Sequence, residues 1–208
     1  MMQTEGKVIT VGVTGASGAV LAQAMLRLLE GDARVAKVHL VVTEAGQRLL
    51  ATELGITAQE PKRLPALITG TDAKKIEYVS NKDIGAAIAS GSYPVDAMVV
   101  IPCSVGTLAS IACGTSDDLL ARAADVCLKE MRRLVLCVRE TPLNRVHLEN
   151  MLRAQAAGAV IMPVIPSFYH GPKTIEDLVA QYVYRVLAQM GLPQEMQYQW
   201  TGKPESKK

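Results

Sequence analysis

Aromatic side chains are scarce in this 208-residue chain, which has one Phe, one Trp and six Tyr. Any core must therefore be aliphatic, and 49% of residues are hydrophobic against 20% charged, a balance that excludes a largely disordered chain. An excess of one charge sign is also missing. Lys plus Arg number 22 and Asp plus Glu 20, for a formal charge of +2, which excludes a protein built to bind a polyanion such as nucleic acid. Metal-ligand spacing is absent. Cys103, Cys113, Cys127 and Cys137 form no CxxC pair, and His39, His147 and His170 show no ligand spacing, so the cysteines are expected to be reduced and mostly buried, with no metal. No long apolar run is unbroken. The longest uncharged stretch, Ala97–Ser116, is interrupted by Pro102, Ser104, Gly106 and Gly114, which excludes a membrane-spanning helix there. Met1–Thr10 lacks a basic leader and a cleavage site, so a cytoplasmic protein is expected. The length fits one domain over 1–208, ending in a polar tail at 191–208.

What is present is alternation. Short apolar runs predict strands at Lys7–Val13, Lys37–Val42, Ile76–Ser80, Ala97–Ile101 (stopped by Pro102), Leu134–Val138 and Gly158–Met162. Amphipathic spacing predicts helices at Gly18–Glu30, Glu44–Leu54, Val105–Ala112, Asp118–Met131, Leu143–Ala157 and Thr174–Met190. Gly55–Ala73 holds Pro61 and Pro65 and reads as loop or broken helix, and Ile84–Ala89 as a helical turn or two. Continuous apolar strands alternating with helices imply an α/β fold, a doubly wound parallel sheet covered on both faces. Ligands of such sheets sit beyond the carboxyl ends of the strands, where the strand order reverses.

The residues just after each strand are therefore the candidates. Gly12-Val-Thr-Gly15-Ala-Ser17-Gly18 follows the first strand, with glycines that permit close backbone approach and a helix start whose N–H groups suit a phosphate. A tight turn without a ligand would use the same residues. Thr43-Glu44 follows the second, either as an acid for a ribose or as an N-cap with an acidic first turn. Pro102-Cys-Ser104-Val105-Gly106-Thr107 follows the fourth, placing hydroxyls at a helix start. Arg139-Glu140 follows the fifth as an expected ion pair, and Phe168-Tyr169-His170 lies beyond the sixth. Tyr78-x-x-x-Lys82 imitates the catalytic pair of short-chain dehydrogenases. It lies on strand-like sequence, where the two side chains would not share a helical face, and it is set aside. The helix Asp118–Met131 turns Leu119, Leu120, Ala123 and Cys127 inward and Arg122, Asp125 and Lys129 outward, the spacing of an ordinary solvated face. Arg145, Glu149 and Arg153 form a similar surface ladder.

Seven ordered segments together resemble the flavin prenyltransferase family of the UbiX/Pad type, once described as aromatic acid decarboxylases. They are TGASGA (Thr14–Ala19), NKDIGAAIASGS (Asn81–Ser92), PCSVGTLASIACG (Pro102–Gly114), LLARAADVCLKE (Leu119–Glu130), RLVLCVRETPL (Arg133–Leu143), HLENM (His147–Met151) and FYHGP (Phe168–Pro172). The likeness covers almost the whole chain. It implies a Rossmann-like, three-layer αβα subunit of the Cys-decarboxylase superfamily that binds FMN at a subunit interface, commonly in a dodecamer. It further implies metal-independent transfer of a dimethylallyl group from dimethylallyl phosphate to N5 and C6 of reduced FMN, the product serving a UbiD-type decarboxylase.

Carried over position by position, the resemblance implies that Gly15, Ala16, Ser17, Thr43, Ser104, Val105, Gly106, Thr107 and Arg139 hold FMN. Tyr169 and Arg185 would bind the dimethylallyl phosphate, with Arg122 and Lys129 adding phosphate contacts, so the outward face of that helix acquires a function. Glu53, Glu140 and Ser17 match positions tied to proton handling, and Trp200 an aromatic lid. Such residue types suit the chemistry: Arg and Lys stabilise a departing phosphate, and an aromatic face stabilises an allylic cation. Thr43 stands where members often have Ser, Met131-Arg132-Arg133 where Arg-Arg-Pro is common, and Gly106 where many carry Lys, which leaves open monophosphate against pyrophosphate as donor. The competing expectations are a flavin-dependent decarboxylase acting directly on an aromatic or peptidyl acid, and a non-catalytic flavin carrier.

Overall fold

The computed structural model describes residues 6–200; residues 201–208 of the expected tail and 1–5 of the N-terminal segment lie outside them. Chain order is β1 (Lys7–Val13), α1 (Ala19–Gly31), β2 (Val35–Val42), α2 (Glu44–Leu54), a 3-10 turn (Pro61–Arg63), α3 (Leu64–Thr69) and β3 (Ile76–Ser80). After a second 3-10 turn (Ala87–Ala89) come β4 (Ala97–Cys103), α4 (Val105–Cys113), α5 (Leu119–Lys129), β5 (Arg133–Val138), α6 (Arg145–Ala156), β6 (Val160–Ile161) and α7 (Ile175–Gln189).

All six strands run parallel in the order β3-β2-β1-β4-β5-β6, so the winding reverses between β1 and β4. Residues of α1, α2, α3 and α7 pack one face of the sheet, with Met25, Leu26, Leu29 and Val183 fully buried. Residues of α4, α5 and α6 pack the other, with Leu108, Leu119 and Ala154 buried. Each large aliphatic side chain removed from water contributes about 2 kcal/mol, and these two aliphatic layers take the place of aromatic packing.

Side chains mark the helix starts. Thr43 accepts from the Gly46 amide, Asp118 from Ala121, Asn144 from His147 and Thr174 from Asp177. Gly55 and Gly114 end α2 and α4 in the left-handed conformation, at φ 65° and 69°.

One strand end differs from expectation. β4 does not stop at Ile101 but continues through Pro102, whose peptide with Ile101 is cis, to Cys103. Proline cannot donate to the ladder, so pairing with β5 skips and resumes at Cys103 opposite Val138 while the chain stays extended. Gly55–Ala73 is a broken helix, as read: the 3-10 turn leads into the six-residue α3, which buries Leu64 and Ile68. Its period is too short to register in sequence.

Candidate functional site

The reversal of strand order brings the turns after β1 and β4 side by side, and the Thr14 hydroxyl joins them. It donates to the Pro102 carbonyl at 2.8 Å and accepts from the Ser104 amide at 2.8 Å, while 1% exposed. Sequence reasoning passed over Thr14 because its neighbours carry the motif. The signal was a hydroxyl placed directly after a central strand.

The N-terminus of α1 differs from expectation. Two of its N–H groups are already engaged, because Glu53 from the last turn of α2 reaches across and accepts from Gly18 at 3.0 Å and Ala19 at 2.8 Å. Gly18 itself supplies no side-chain cap and sits at φ 125°, a conformation that favours glycine. Burial opposes the Glu53 charge. The Ser17 hydroxyl, the two amides and the Arg139 charge outweigh it and hold the carboxyl below its ordinary value.

Arg139 and Glu140 do not pair. Arg139 sends Nε to the Ser17 carbonyl at 3.2 Å, whereas Glu140 is exposed and accepts from the Thr141 amide at 2.9 Å. At the carboxyl edge of the sheet water is available to Glu140, while Arg139 is drawn to the unpaired carbonyl of the β1 turn and the Glu53 charge. Ser17, Glu53 and Arg139 thus form one cluster drawn from three elements.

A cleft of about 420 Å³ opens beside this cluster, lined by Ser17, Leu21, Arg139, Val164, Leu178 and Tyr182. Next to it, sharing Pro166 and Tyr182, lies a hollow of about 270 Å³ that holds Tyr169 and Arg185. Tyr169, which lines it, is largely exposed, as are Phe168 and Trp200.

The Thr43 hydroxyl caps α2, accepting from the Gly46 amide at 3.0 Å, and Glu44 is exposed in the first turn beside Arg48. Ser104 caps α4 and shares a hydrogen bond of 3.1 Å with the Thr107 hydroxyl. Val105 is half-buried, Gly106 exposed, and a Cβ on Gly106 would meet nothing closer than the Ser104 Oγ at 4.0 Å, so its backbone tolerates a side chain. Ala16 is buried. Gly15 and Gly46 press the β1 turn against α2: a Cβ on Gly15 would lie 2.5 Å from the Ala45 Cβ, and one on Gly46 2.4 Å from the Val13 carbonyl oxygen.

Arg122 and Lys129 are not brought to the cluster. They lie on α5, on the other side of the sheet, where Arg122 donates to the Ala89 carbonyl at 3.2 Å and pairs with Asp125 at 2.7 Å, and Lys129 pairs with Glu130 beside Gly91. The surface ladder is as expected, with Arg145 and Glu149 paired at 2.7 Å in water. Tyr78 sits on β3, as its rejection as a catalytic residue required. All four cysteines are free, Cys113 alone exposed, and burial raises the Cys127 and Cys137 thiols to about 12. Among the described residues no three His, Cys, Asp or Glu side chains gather as a metal site, and no helix is long and apolar enough to cross a membrane.

A family model for flavoproteins matches residues 2–187. The flavin prenyltransferase UbiX of Halalkalibacterium halodurans is 45% identical over 194 residues, covering 93% of each chain. That of Escherichia coli is 43% identical over 198 residues, 94% of this chain and 99% of the relative. Among solved structures, AnUbiX (PadA1) in complex with FMN and dimethylallyl pyrophosphate superposes with a TM-score of 0.82 at 40% identity, over 95% of this chain and 99% of that one. A dodecameric FMN-dependent UbiX-like decarboxylase from Escherichia coli O157:H7 also reaches 0.82 at 40% identity, covering 94% of this chain and 100% of its own. The FMN-dependent cysteine decarboxylase TvaF shares the fold alone, at 16% identity and a TM-score of 0.58 over 89% of this chain and 98% of its own.

Proposed function

The chain belongs to the flavoprotein family, among its flavin prenyltransferases, and from that premise we propose that it transfers a dimethylallyl group from dimethylallyl phosphate to N5 and C6 of reduced FMN. The observation that carries this reading is the Ser17–Glu53–Arg139 cluster at the reversal of strand order, beside a cleft that shares Pro166 and Tyr182 with the hollow holding Tyr169 and Arg185.

The residues present fit a flavin mononucleotide. Backbone at Gly15–Ser17, the Arg139 guanidinium and the hydroxyl-bearing start of α4 (Ser104, Val105, Gly106, Thr107) offer donors to a polar, anionic ring-and-phosphate ligand, while Val164, Leu178 and Tyr182 offer apolar wall. Thr43 keeps the neighbouring turn in place through its cap rather than through a free hydroxyl. The reduced flavin supplies the electron-rich atoms that the allyl group joins. The protein's part begins with the phosphate: Tyr169 and Arg185 hold it, and Arg122 and Lys129 add positive charge that stabilises it as it leaves. Because α5 lies across the sheet within one chain, Arg122 and Lys129 reach the site from a neighbouring copy in a homo-oligomer, and a dodecamer is the assembly we assign. Glu140, exposed at the end of β5, gives a proton to the departing phosphate. Glu53, held ionised and bonded to Ser17, is placed to accept the proton lost from the ring. Trp200 serves as the aromatic lid. No metal enters the scheme, the location is cytoplasmic, and the product passes to a UbiD-type decarboxylase.

The test is anaerobic incubation with reduced FMN and dimethylallyl phosphate, followed by mass spectrometry of the flavin. A flavin heavier by one dimethylallyl group supports the reading. Unchanged flavin overturns it in favour of a carrier, and direct turnover of an aromatic acid without any partner enzyme would favour a decarboxylase.

A further inference from the structure

The segment after α7 is anchored by Leu192, fully buried, and then crosses the surface with no regular structure to Trp200. Gln194 ties its first part to Asp32 at 3.3 Å, and one side chain holds the part beyond. Gln181, on α7, donates from Nε2 to the Met196 carbonyl at 3.1 Å and accepts at Oε1 from the Tyr198 amide at 2.9 Å. Among the described residues, no other hydrogen bond ties 196–200 to the rest of the chain outside its own turn.

The clamp fixes a ring. Tyr198 stacks on Tyr169 with centroids 6.5 Å apart and planes 25° apart, and lies 6.2 Å from the His170 ring. Tyr169 otherwise stands in an irregular segment, 73% exposed, in the same hollow as Arg185. Gln181 is one helical turn before Arg185 and shares its face. One turn of α7 therefore carries both a phosphate-binding candidate and the clamp that sets the opposite wall.

We propose that Gln181 is a positioning residue: by pinning Met196 and Tyr198 it fixes the Tyr198 ring as a backstop for Tyr169, and so sets the distance between Tyr169 and Arg185 at the dimethylallyl phosphate. This rests on the function proposed above. Gln181 touches no reacting atom in this scheme. Its effect falls on substrate capture, and a side chain of equal length without hydrogen-bonding groups removes it.

The experiment compares the full-length wild type with Gln181→Met, Tyr198→Ala and Tyr198→Phe, measuring steady-state rates at saturating reduced FMN and hydrogen–deuterium exchange by mass spectrometry. Gln181→Met is expected to raise KM for dimethylallyl phosphate about tenfold, the scale of two lost hydrogen bonds, with kcat within about twofold. Exchange across 193–200 should speed up while α7 stays as protected as in wild type. Tyr198→Ala should match it in KM but keep the wild-type exchange, since both clamp bonds go to backbone atoms. Gln181→Met combined with Tyr198→Ala should have a KM no higher than either, and Tyr198→Phe, which keeps the ring, should behave as wild type. An unchanged KM in Gln181→Met, or unchanged exchange across 193–200 in that variant, overturns the proposal while the prenyl-transfer reading stands. A wild type that produces no heavier flavin overturns both, and is recognised before any variant is compared.

Discussion

The Glu53 carboxylate, at the far end of α2, lies 2.8 Å from the Ala19 amide at the beginning of α1. A helix start that its own sequence leaves uncapped is thus completed by a charge from 34 residues away. Anionic groups near helix N-termini are stabilising, and the proposed function gives the same charge a second role in proton transfer.

Glu53→Gln should therefore act twice. The native carboxyl titrates below its ordinary value, so the unfolded chain takes up the proton first. The stability that Glu53 contributes is present above pH 4.5 and lost as pH falls through the lower native value. In urea titrations Glu53→Gln should be less stable than wild type by about 0.5–1 kcal/mol at pH 7, and the two should converge in acid. Product formation should fall by about 10²-fold, the usual worth of a positioned base. A variant of full activity would remove Glu53 from the proton pathway.

Lys129 and Ser17 should complement each other across copies. Lys129→Ala and Ser17→Ala are each expected to be nearly inactive as pure assemblies. Co-expressed at equal levels, about a quarter of the sites in the mixed oligomer would combine an intact Ser17 with an intact Lys129. Activity should return on that scale. Mixed assemblies as inactive as their parents would place both residues in the service of one chain.

Gly46→Ala tests why the turn after β1 is so close to α2. The added Cβ would lie 2.4 Å from the Val13 carbonyl oxygen, a backbone atom that cannot swing aside. A loss of about 1–3 kcal/mol is expected, with weakened flavin binding because Val13 leads into the cluster. Gly31→Ala is the control: nothing lies within 4 Å of its Cβ, and thermal melting should show it neutral or more stable by about 0.5 kcal/mol.

His39 provides an acid-sensitive point far from the site. It is buried in β2 with Nε2 2.9 Å from the Tyr93 hydroxyl and Nδ1 3.7 Å from Glu77. Burial, together with the Lys37 charge and against the pull of Glu77, lowers it to about 4. The unfolded chain binds this proton first, so stability is full above pH 6.5 and declines as pH falls towards 4, by about 3 kcal/mol in all. His39→Gln should flatten that limb of the urea stability profile between pH 7 and 4. A profile as steep as wild type would assign the acid sensitivity to other groups.

The architecture was legible because burial on both faces of a parallel strand leaves an uninterrupted apolar run. Ile76–Ser80 and Glu44–Leu54 were readable to the residue, since hydrophobic period and a cap or turn residue coincide at their ends. Pro102 misled for a local reason: it ends hydrogen bonding to a neighbouring strand without ending extended backbone. Arg139 and Glu140 misled for a non-local one, since adjacent opposite charges pair only when nothing better lies within reach, and the Ser17 carbonyl did.

By itself the sequence determined the class of fold, the aliphatic core, the family, and the hydroxyl-rich turns that follow the strands, because each is written in period, composition or contiguous motif. Tertiary structure decided which of those residues meet. Glu53 comes to Ser17, Thr14 to Pro102 and Ser104, and Tyr198 to Tyr169, all pairs remote in the chain and unmarked by spacing. It also decided that Arg122 and Lys129 do not meet them within one chain, since the sheet stands between. Periodicity reports which face of an element is buried; only packing selects the face it is buried against.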